Sequence, residues 1–367
     1  MASHDVDALA TVAWEAALPV QCSLAEGCRD DRQQGADNEC YFMVPRQGYL
    51  GYSLKVVMST FSHIPVLADG RQCFVWFTYK PPGCRDGDEV VLPWHYPMGV
   101  VVDRLAAVSG VDGINALFKY ALQLTVIFSE TPPTGEDIVP MQVKGVEKGV
   151  DTWLKQSHKA ALMARFGTIK PWVSFDTSAY TDFLSAPRTN DVGAFFVGRA
   201  GLDSQCKRDL EKECYDRGDR LAFVVLHVDG RPTPLVADIE SLPTLGMLLR
   251  DSLPCCYDLT DDQVQSLDPL PESIANVFVL GTKPPLVTPI VFLRDHLCCA
   301  DLAIHVVVAP KVSNAPRSRP AAAAESTPLM ATSARFEESR DETRAAPDAT
   351  APLSATPPPD PNQDRTL

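Results

Sequence analysis

The amino-acid sequence predicts an α+β protein in which one folding module occurs twice. Two segments share the same order: a strand, a Lys-Pro-Pro turn, a proline at the start of a short helix, and a closing strand. The first is CFVWFTYKPPG from Cys73, then LPWHYPMGVVVDRLAAV, then LQLTVIFSETPP from Leu122. The second is NVFVLGTKPPLVTP from Asn276, then IVFLRDHL, then LAIHVVVAPK from Leu302. This repeat predicts a duplicated module.

A further half-module precedes the first copy. Residues 20–24 and 41–44 have the alternating apolar pattern of two strands, and we expect them to pair as a hairpin. Residues 49–62 follow with helical spacing of their apolar side chains.

The second copy is preceded by the same elements. LAFVVLHVDG from Leu221 and PLVADI from Pro234 predict a hairpin, and SLPTLGMLLRDSL predicts a helix whose N-cap is Ser241. Two strands, a helix and further strands form the order of the β-grasp fold found in ubiquitin. The sequence therefore predicts two ubiquitin-like domains, at residues 18–130 and 219–311.

The region between these domains, residues 131–218, is predicted to be a small helical bundle. VEKGVDTWLKQSHKAALMARFG from Val146 carries its apolar residues on one helical face, and SFDTSAYTDFL and LDSQCKRDLEKECYDRG also have helical patterns. VGRAGLDS has two glycines three residues apart, which predicts a turn.

The two ends of the chain differ in composition. SHDVDALATVAWEAAL predicts a helix within residues 1–17. Residues 312–367 are dominated by Ala, Pro, Ser, Thr and Asp, so they have too little apolar surface to offset the entropy of ordering. We expect a disordered tail there.

Charge and hydropathy limit the function. A net charge of −14 disfavours a nucleic-acid partner, which requires a concentrated basic surface. No segment has the roughly 18 to 20 apolar residues that span a bilayer, so we expect a cytoplasmic protein. The 11 cysteines lie mostly among apolar residues, as small buried hydrophobes do in a reducing compartment. Cys22, Cys28 and Cys40 are only loosely spaced for zinc, so we expect neither a metal nor a cofactor.

The sequence contains no catalytic motif. GxxxxGK[ST], GxSxG, HExxH and GxGxxG after a strand are all absent. The alternative hypothesis is a thiol-dependent enzyme that acts on ubiquitin-like proteins, with His95 as general base and a cysteine as nucleophile. Such a site needs a group that orients the imidazole and a thiol of depressed pKa, and the sequence marks neither.

Four motifs in order resemble the autophagy protein 5 family. VWFTYK followed by LPWHYPMGVVVDRLA resembles the family's WFEYE-like strand and its W-H-Y-P-[IM]-G helix start. YFMVPRQGYL, SLPTLGMLLRDSLP and PPLVTPIVFLRDHL resemble Y-x-L-x-P-R-x-x-Y-L, T-L-G-x-L-L and P-x-x-T-P-x-x-x-L-x-x-H-L. The landmarks extend from about Asp5 to Pro310. The chain departs from the family in residues 198–218, in the loop after the first helix, and in the tail.

The resemblance implies covalent attachment of the C-terminal glycine of autophagy protein 12 to a lysine in the helical region. The family spacing I-E-x-x-x-x-x-x-M-K matches Val146-Glu147 to Leu154-Lys155, so Lys155 is the predicted acceptor. Lys159 and Lys148 are the competitors. Without the resemblance, the lysines fit a solvated helix face equally well.

The resemblance also implies that a helix of autophagy protein 16 docks in a groove shared by both ubiquitin-like domains and the helical region. The residues expected to shape the first domain at or near this groove are Trp94, His95, Tyr96, Pro97, Gly99 and Asp103. Gly99 would permit a close backbone approach, and Pro97 would set the helix start.

The function implied is a non-catalytic scaffold. As a conjugate it would act like an E3 in attaching autophagy protein 8 to phosphatidylethanolamine, while the attached modifier recruits the E2-like enzyme. The chain would be recruited from the cytoplasm to the phagophore, the preautophagosomal structure. Lys155, Lys159, Arg165 and Lys170 offer local positive charge for membrane contact.

Overall fold

The computed structural model describes residues 10–28, 39–61, 64, 72–81, 89–109, 121–135, 138–253, 259–265 and 275–310. Residues 10–15 are helical, whereas the rest of the predicted N-terminal helix up to residue 9 lies outside the described residues. The tail predicted at residues 312–367 also lies outside them. The α+β fold class predicted from the sequence is confirmed.

The first ubiquitin-like domain is a twisted sheet with two helices. Its elements are β1 (Ala17–Leu24), β2 (Glu39–Pro45), α1 (Leu50–Thr60), β3 (Phe74–Tyr79), β4 (Val90–Val91), α2 (Met98–Ser109), β5 (Leu122–Ser129) and β6 (Met141–Gln142). The strand order is β2-β1-β5-β3-β4, and β6 pairs with β3. The parallel pair β1 and β5 occupies the centre, as the β-grasp order requires.

The region after β6 is helical, whereas β6 itself lies within residues 131–218, which were predicted to be a helical bundle, and pairs with β3 of the first sheet. Its helices are α3 (Val146–Phe166), α4 (Lys170–Ser174), α5 (Thr177–Thr189), α6 (Val192–Asp209) and α7 (Lys212–Asp219). The prediction that VGRAGLDS is a turn was wrong, because this segment is the middle of α6. Gly198 serves helix packing there: a Cβ atom on it would lie 2.5 Å from Cβ of Phe183 on α5.

The second ubiquitin-like domain repeats the first. Its elements are β7 (Leu221–Val228), β8 (Arg231–Asp238), α8 (Leu245–Ser252), α9 (Asp261–Val264), β9 (Ala275–Val279), α10 (Ile290–His296) and β10 (Ile304–Pro310). The strand order is β8-β7-β10-β9, again with a central parallel pair, β7 and β10. The duplicated order predicted from the sequence is therefore present.

The N-cap predicted for α8 was wrong. Thr244 caps the helix by accepting a hydrogen bond from the Met247 N–H at 3.3 Å, while Ser241 donates to Asp238. Thr244 forms an isolated bridge with Pro289, so a tertiary contact keeps the preceding residues out of the helix. Among the described residues, no helix combines the length and apolar character needed to cross a bilayer.

Candidate functional site

The Trp-His-Tyr-Pro segment ahead of α2 packs against α3. The Trp94 indole N–H donates to the Val139 carbonyl at 2.6 Å, and the ring centroid of Trp94 lies 6.2 Å from that of Trp153. The His95 ring lies 4.9 Å from Trp153. These contacts join the first ubiquitin-like domain to the helical region.

The following residue, Tyr96, contacts the second ubiquitin-like domain. Its ring meets the rings of His227 on β7 and His305 on β10 edge to face, at centroid distances of 5.1 and 5.7 Å. Arg104 lies over the same ring at 5.5 Å and donates to the Gly230 carbonyl in the β7–β8 turn. The segment thus connects all three parts of the chain.

The start of α2 is anchored to the end of β2. The N–H groups of Met98 and Gly99 donate to the carbonyls of Gly48 and Arg46 at 2.8 and 2.7 Å. These bonds satisfy donors that have no partner inside the helix. A Cβ atom on Gly99 would lie 3.1 Å from the Arg46 carbonyl oxygen, which agrees with the close approach predicted for this glycine.

Asp103 forms a buried ion pair inside the first ubiquitin-like domain and accepts a hydrogen bond from the second. Its Oδ1 accepts from Nη2 of Arg46 at 2.6 Å, and its Oδ2 accepts from the Gly281 N–H at 2.8 Å. Burial raises the pKa of Asp103, whereas Arg46 and the Gly281 N–H oppose that shift. Gly281 has φ +80°, and a Cβ atom there would lie 2.5 Å from Cζ of Arg46, so only glycine fits.

A histidine chain adjoins Tyr96. Nε2 of His305 bonds to the Asp301 carboxylate at 2.8 Å, and Nδ1 of His305 lies 2.8 Å from Nε2 of His227. In the contact between His305 and His227 one ring nitrogen donates and the other accepts, and Nε2 of His305 can donate to Asp301 in either arrangement. Burial lowers the pKa of His227, and it lowers the pKa of His95 to about 4. The rings of His227 and His95 are therefore neutral at pH 7.

The residues predicted to shape a partner groove are mostly interior. Tyr96 is half-buried. The other residues of the set are buried: Trp94, His95, Pro97, Gly99 and Asp103. They act by fixing the three parts of the chain against each other. That they shape a groove for a helix stays a prediction.

Among the described residues, the aromatic rings in contact with His95 are those of Trp94, Tyr96 and Trp153. Cys22 and Cys40 face each other across β1 and β2, and their mutual hydrogen bond raises the pKa of Cys22 and lowers that of Cys40. Cys28 instead donates to the Phe128 carbonyl at 3.2 Å.

Other described thiols are made less reactive by burial, which raises the pKa of Cys73, Cys298 and Cys299. Within the described ranges, no three His, Cys, Asp or Glu side chains are arranged to hold a metal ion.

The predicted acceptor Lys155 lies on α3 and is half-exposed. Its Nζ is 5.7 Å from the ring centroid of Tyr180 on α5. Lys159 is also half-exposed, and Lys148 is exposed, so all three amines reach the surface of the same helix.

Arg165, which was predicted to contact a membrane, is mostly buried and lies beside acidic side chains. Its side chain is 13 % exposed and lies 3.9 Å from carboxylate oxygens of both Asp203 and Asp219. The side chains of Asp203 and Asp219 are themselves 42 % and 54 % exposed, so they balance the charge of Arg165 near the surface, and its membrane contact stays a prediction. Lys170 is exposed, so for Lys159 and Lys170 the membrane contact stays a prediction.

Sequence reasoning missed residues of this region, Arg46 and Tyr180 among them. Arg46 lies in YFMVPRQGYL, so the motif was a signal, but nothing in the sequence indicated that Asp103 is its partner. Tyr180 carried no signal, because its contact with Lys155 depends on how α5 packs on α3.

Comparisons with known proteins agree on one family. Residues 13–128 match the family model described as "Autophagy protein ATG5, UblA domain". The chain is 26% identical over 200 residues to Autophagy-related protein 5 of Kluyveromyces marxianus, covering 53% of this chain and 68% of that protein. It also resembles the crystal structure of Kluyveromyces marxianus Atg5, with a TM-score of 0.59 and 17% identity. That match covers 82% of this chain and 98% of the other, and it bears on the fold alone.

Proposed function

We propose that this chain, which belongs to the autophagy protein 5 family, is the acceptor scaffold for a ubiquitin-like modifier in autophagy. In this proposal it accepts autophagy protein 12 on a lysine and binds autophagy protein 16. The conjugate then promotes transfer of autophagy protein 8 to phosphatidylethanolamine at the phagophore membrane. The chain supplies a nucleophilic amine and docking surfaces, and the attached modifier recruits the E2-like enzyme.

Lys155 is the proposed acceptor. Its amine attacks the thioester carbonyl carbon at the C-terminal glycine of the modifier; the C–N bond forms, the C–S bond breaks, and the thiolate of the conjugating enzyme leaves. The observation that carries the proposal is that Lys155, at the family spacing, is half-exposed on α3. It makes no ion pair within the described part of the chain, so no carboxylate has to be displaced.

The inter-domain joint supports the docking of a partner helix. Contacts of Trp94, Tyr96 and Asp103 hold both ubiquitin-like domains and the helical region in one arrangement. A groove formed by three parts binds a helix tightly only if those parts are already fixed, because ordering them on binding costs affinity. Lys159 and Lys170 are the proposed membrane contacts.

The state of His95 supports a non-catalytic role. Its ring is enclosed by aromatic side chains, and burial lowers its pKa to about 4, so it is a weak base at pH 7. Cys40, a described thiol of lowered pKa, owes that shift to its hydrogen bond with Cys22 and not to His95, so it does not favour the thiol-dependent enzyme.

The test is a gel-shift assay with the cognate modifier, its activating and conjugating enzymes, and ATP. Wild type should gain the mass of one modifier, and Lys155→Arg should not. Lys159→Arg and Lys148→Arg are matched controls that should shift like wild type. If Lys155→Arg still gains the mass of the modifier, the acceptor is another lysine. If wild type gains no mass, the covalent function is refuted.

A further inference from the structure

Three lysines of α3 present their amines on one side of the helix. Lys148, Lys155 and Lys159 are separated by seven and four residues, which places them on one helical face. An accessible amine is the only group that the modifier requires, so accessibility does not explain why one lysine is used.

Lys155 differs from its neighbours in an aromatic contact. Its Nζ lies 5.7 Å from the ring centroid of Tyr180, within the range of about 6 Å for a cation–π interaction. Neither Lys148 nor Lys159 has such a contact with any ring that the structure describes. Among the described contacts, this ring distinguishes Lys155 from the other two lysines.

The Tyr180 ring is itself held in place. The Trp172 ring meets it edge to face at a centroid distance of 4.3 Å, and the Phe175 ring lies 6.5 Å away. Tyr180 stands in the first turn of α5, where its N–H donates to the Asp176 carbonyl at 2.9 Å. Because Asp176 also caps this helix, the ring forms a fixed surface beside Lys155.

We propose that Tyr180 is a positioning residue that directs conjugation to Lys155 rather than to Lys148 or Lys159. The inference rests on the proposed function, since it concerns which amine meets the thioester. A cation–π contact at a partly exposed site favours the position beside the ring over other positions of the ammonium group by a factor of about two to five. The ring holds the ammonium group in one place, and the amine attacks from that place after losing its proton to solvent. Tyr180 itself takes no part in bond formation.

The tyrosine hydroxyl allows a clean comparison of variants. This oxygen is buried and has no hydrogen-bond partner in the described part of the chain. Tyr180→Phe therefore keeps the ring and removes only an unsatisfied polar atom, so stability should be unchanged or higher. Tyr180→Leu removes the ring. Tyr215→Leu is the matched control, because Tyr215 is a half-buried tyrosine of α7 whose ring stacks on Phe166.

The experiment measures the single-turnover conjugation rate from the preformed thioester, and maps the modified lysine by mass spectrometry of tryptic peptides. For Tyr180→Leu we expect the ratio of product at Lys155 to product at Lys148 and Lys159 to fall two- to fivefold. Tyr180→Phe and Tyr215→Leu should match wild type in rate and site. Thermal unfolding of each variant shows whether the fold is intact.

Two results would overturn the inference while leaving the proposed function in place. In one, Tyr180→Leu modifies Lys155 at the wild-type rate and with the wild-type site distribution. In the other, Tyr180→Phe loses as much selectivity as Tyr180→Leu, which would assign the effect to the hydroxyl. If Lys155→Arg is conjugated as fast as wild type, the proposed acceptor fails, and the role of Tyr180 fails with it.

Discussion

The buried ion pair between Arg46 and Asp103 predicts a large loss of stability for Asp103→Asn. Both side chains are nearly inaccessible, at 7 % and 4 % exposure, and their closest atoms are 2.6 Å apart. Asparagine keeps the shape of aspartate and an oxygen that accepts a hydrogen bond, but it removes the negative charge. Arg46 is then left as an uncompensated buried cation, which typically costs about 3 to 5 kcal/mol.

Urea unfolding followed by tryptophan fluorescence measures this loss, because Trp94 and Trp153 both lie at the joint. With a slope of about 3 kcal/mol per molar urea, the midpoint should fall by about 1 M or more. Asp216→Asn is the matched control. It removes an exposed i,i+4 partner of Lys212, and it should change the free energy of unfolding by less than about 1 kcal/mol.

A double-mutant cycle separates the charge effect from packing. Arg46→Met in the Asp103→Asn background removes the buried cation, so the double variant should be more stable than Asp103→Asn alone. The reasoning is refuted if Asp103→Asn loses less than about 1 kcal/mol, or if the two substitutions simply add.

Three further predictions concern stability. Burial lowers the pKa of His158 from 6.5 to about 4 in the folded chain. The stabilisation that neutral His158 contributes to folding is therefore complete above pH 6.5 and is lost as the pH falls towards 4. About 2 kcal/mol should be lost by pH 5, and the drop in urea midpoint between pH 7 and pH 5 should be smaller in His158→Gln than in wild type. Gly198→Ala should destabilise by about 1 to 3 kcal/mol because its Cβ would meet Phe183, whereas Gly149→Ala, with no atom within 4 Å, should raise the urea midpoint. Thr244→Ala removes the cap of α8 and should cost about 1 kcal/mol in the same assay.

The course of the main strands and helices was readable from the sequence, since it depends on local periodicity. The alternation in residues 20–24 and 41–44 became the antiparallel pair β1 and β2. The apolar face beginning at Val146 became the buried side of α3, with Val150, Leu154 and Leu162 in the core. The repeated Lys-Pro-Pro order identified the duplication because the same tripeptide follows equivalent strands, β3 and β9, in the two halves.

Local patterns failed where a tertiary contact competes with them. Ser241 is an acceptable cap in isolation, yet the bridge between Thr244 and Pro289 moves the start of α8. The glycines of VGRAGLDS favour a turn. In the structure Gly198 instead lies in α6, where the close approach of α5 leaves no room for a Cβ atom. The sequence indicated that Arg165 is a surface cation, whereas in the structure its side chain is 13 % exposed and lies 3.9 Å from Asp203 on another helix.

For the candidate site, the sequence by itself determined which residue types are available and how they are spaced along each element. Lys155 stands at the family spacing, and Gly99 and Pro97 stand where a close approach and a helix start require them. Only the tertiary structure decided that Asp103 pairs with Arg46 and that Lys155, of the three lysines on its face, meets the Tyr180 ring. The physical reason is that charge pairing and ring contacts depend on distances between elements, and packing of the whole chain sets those distances.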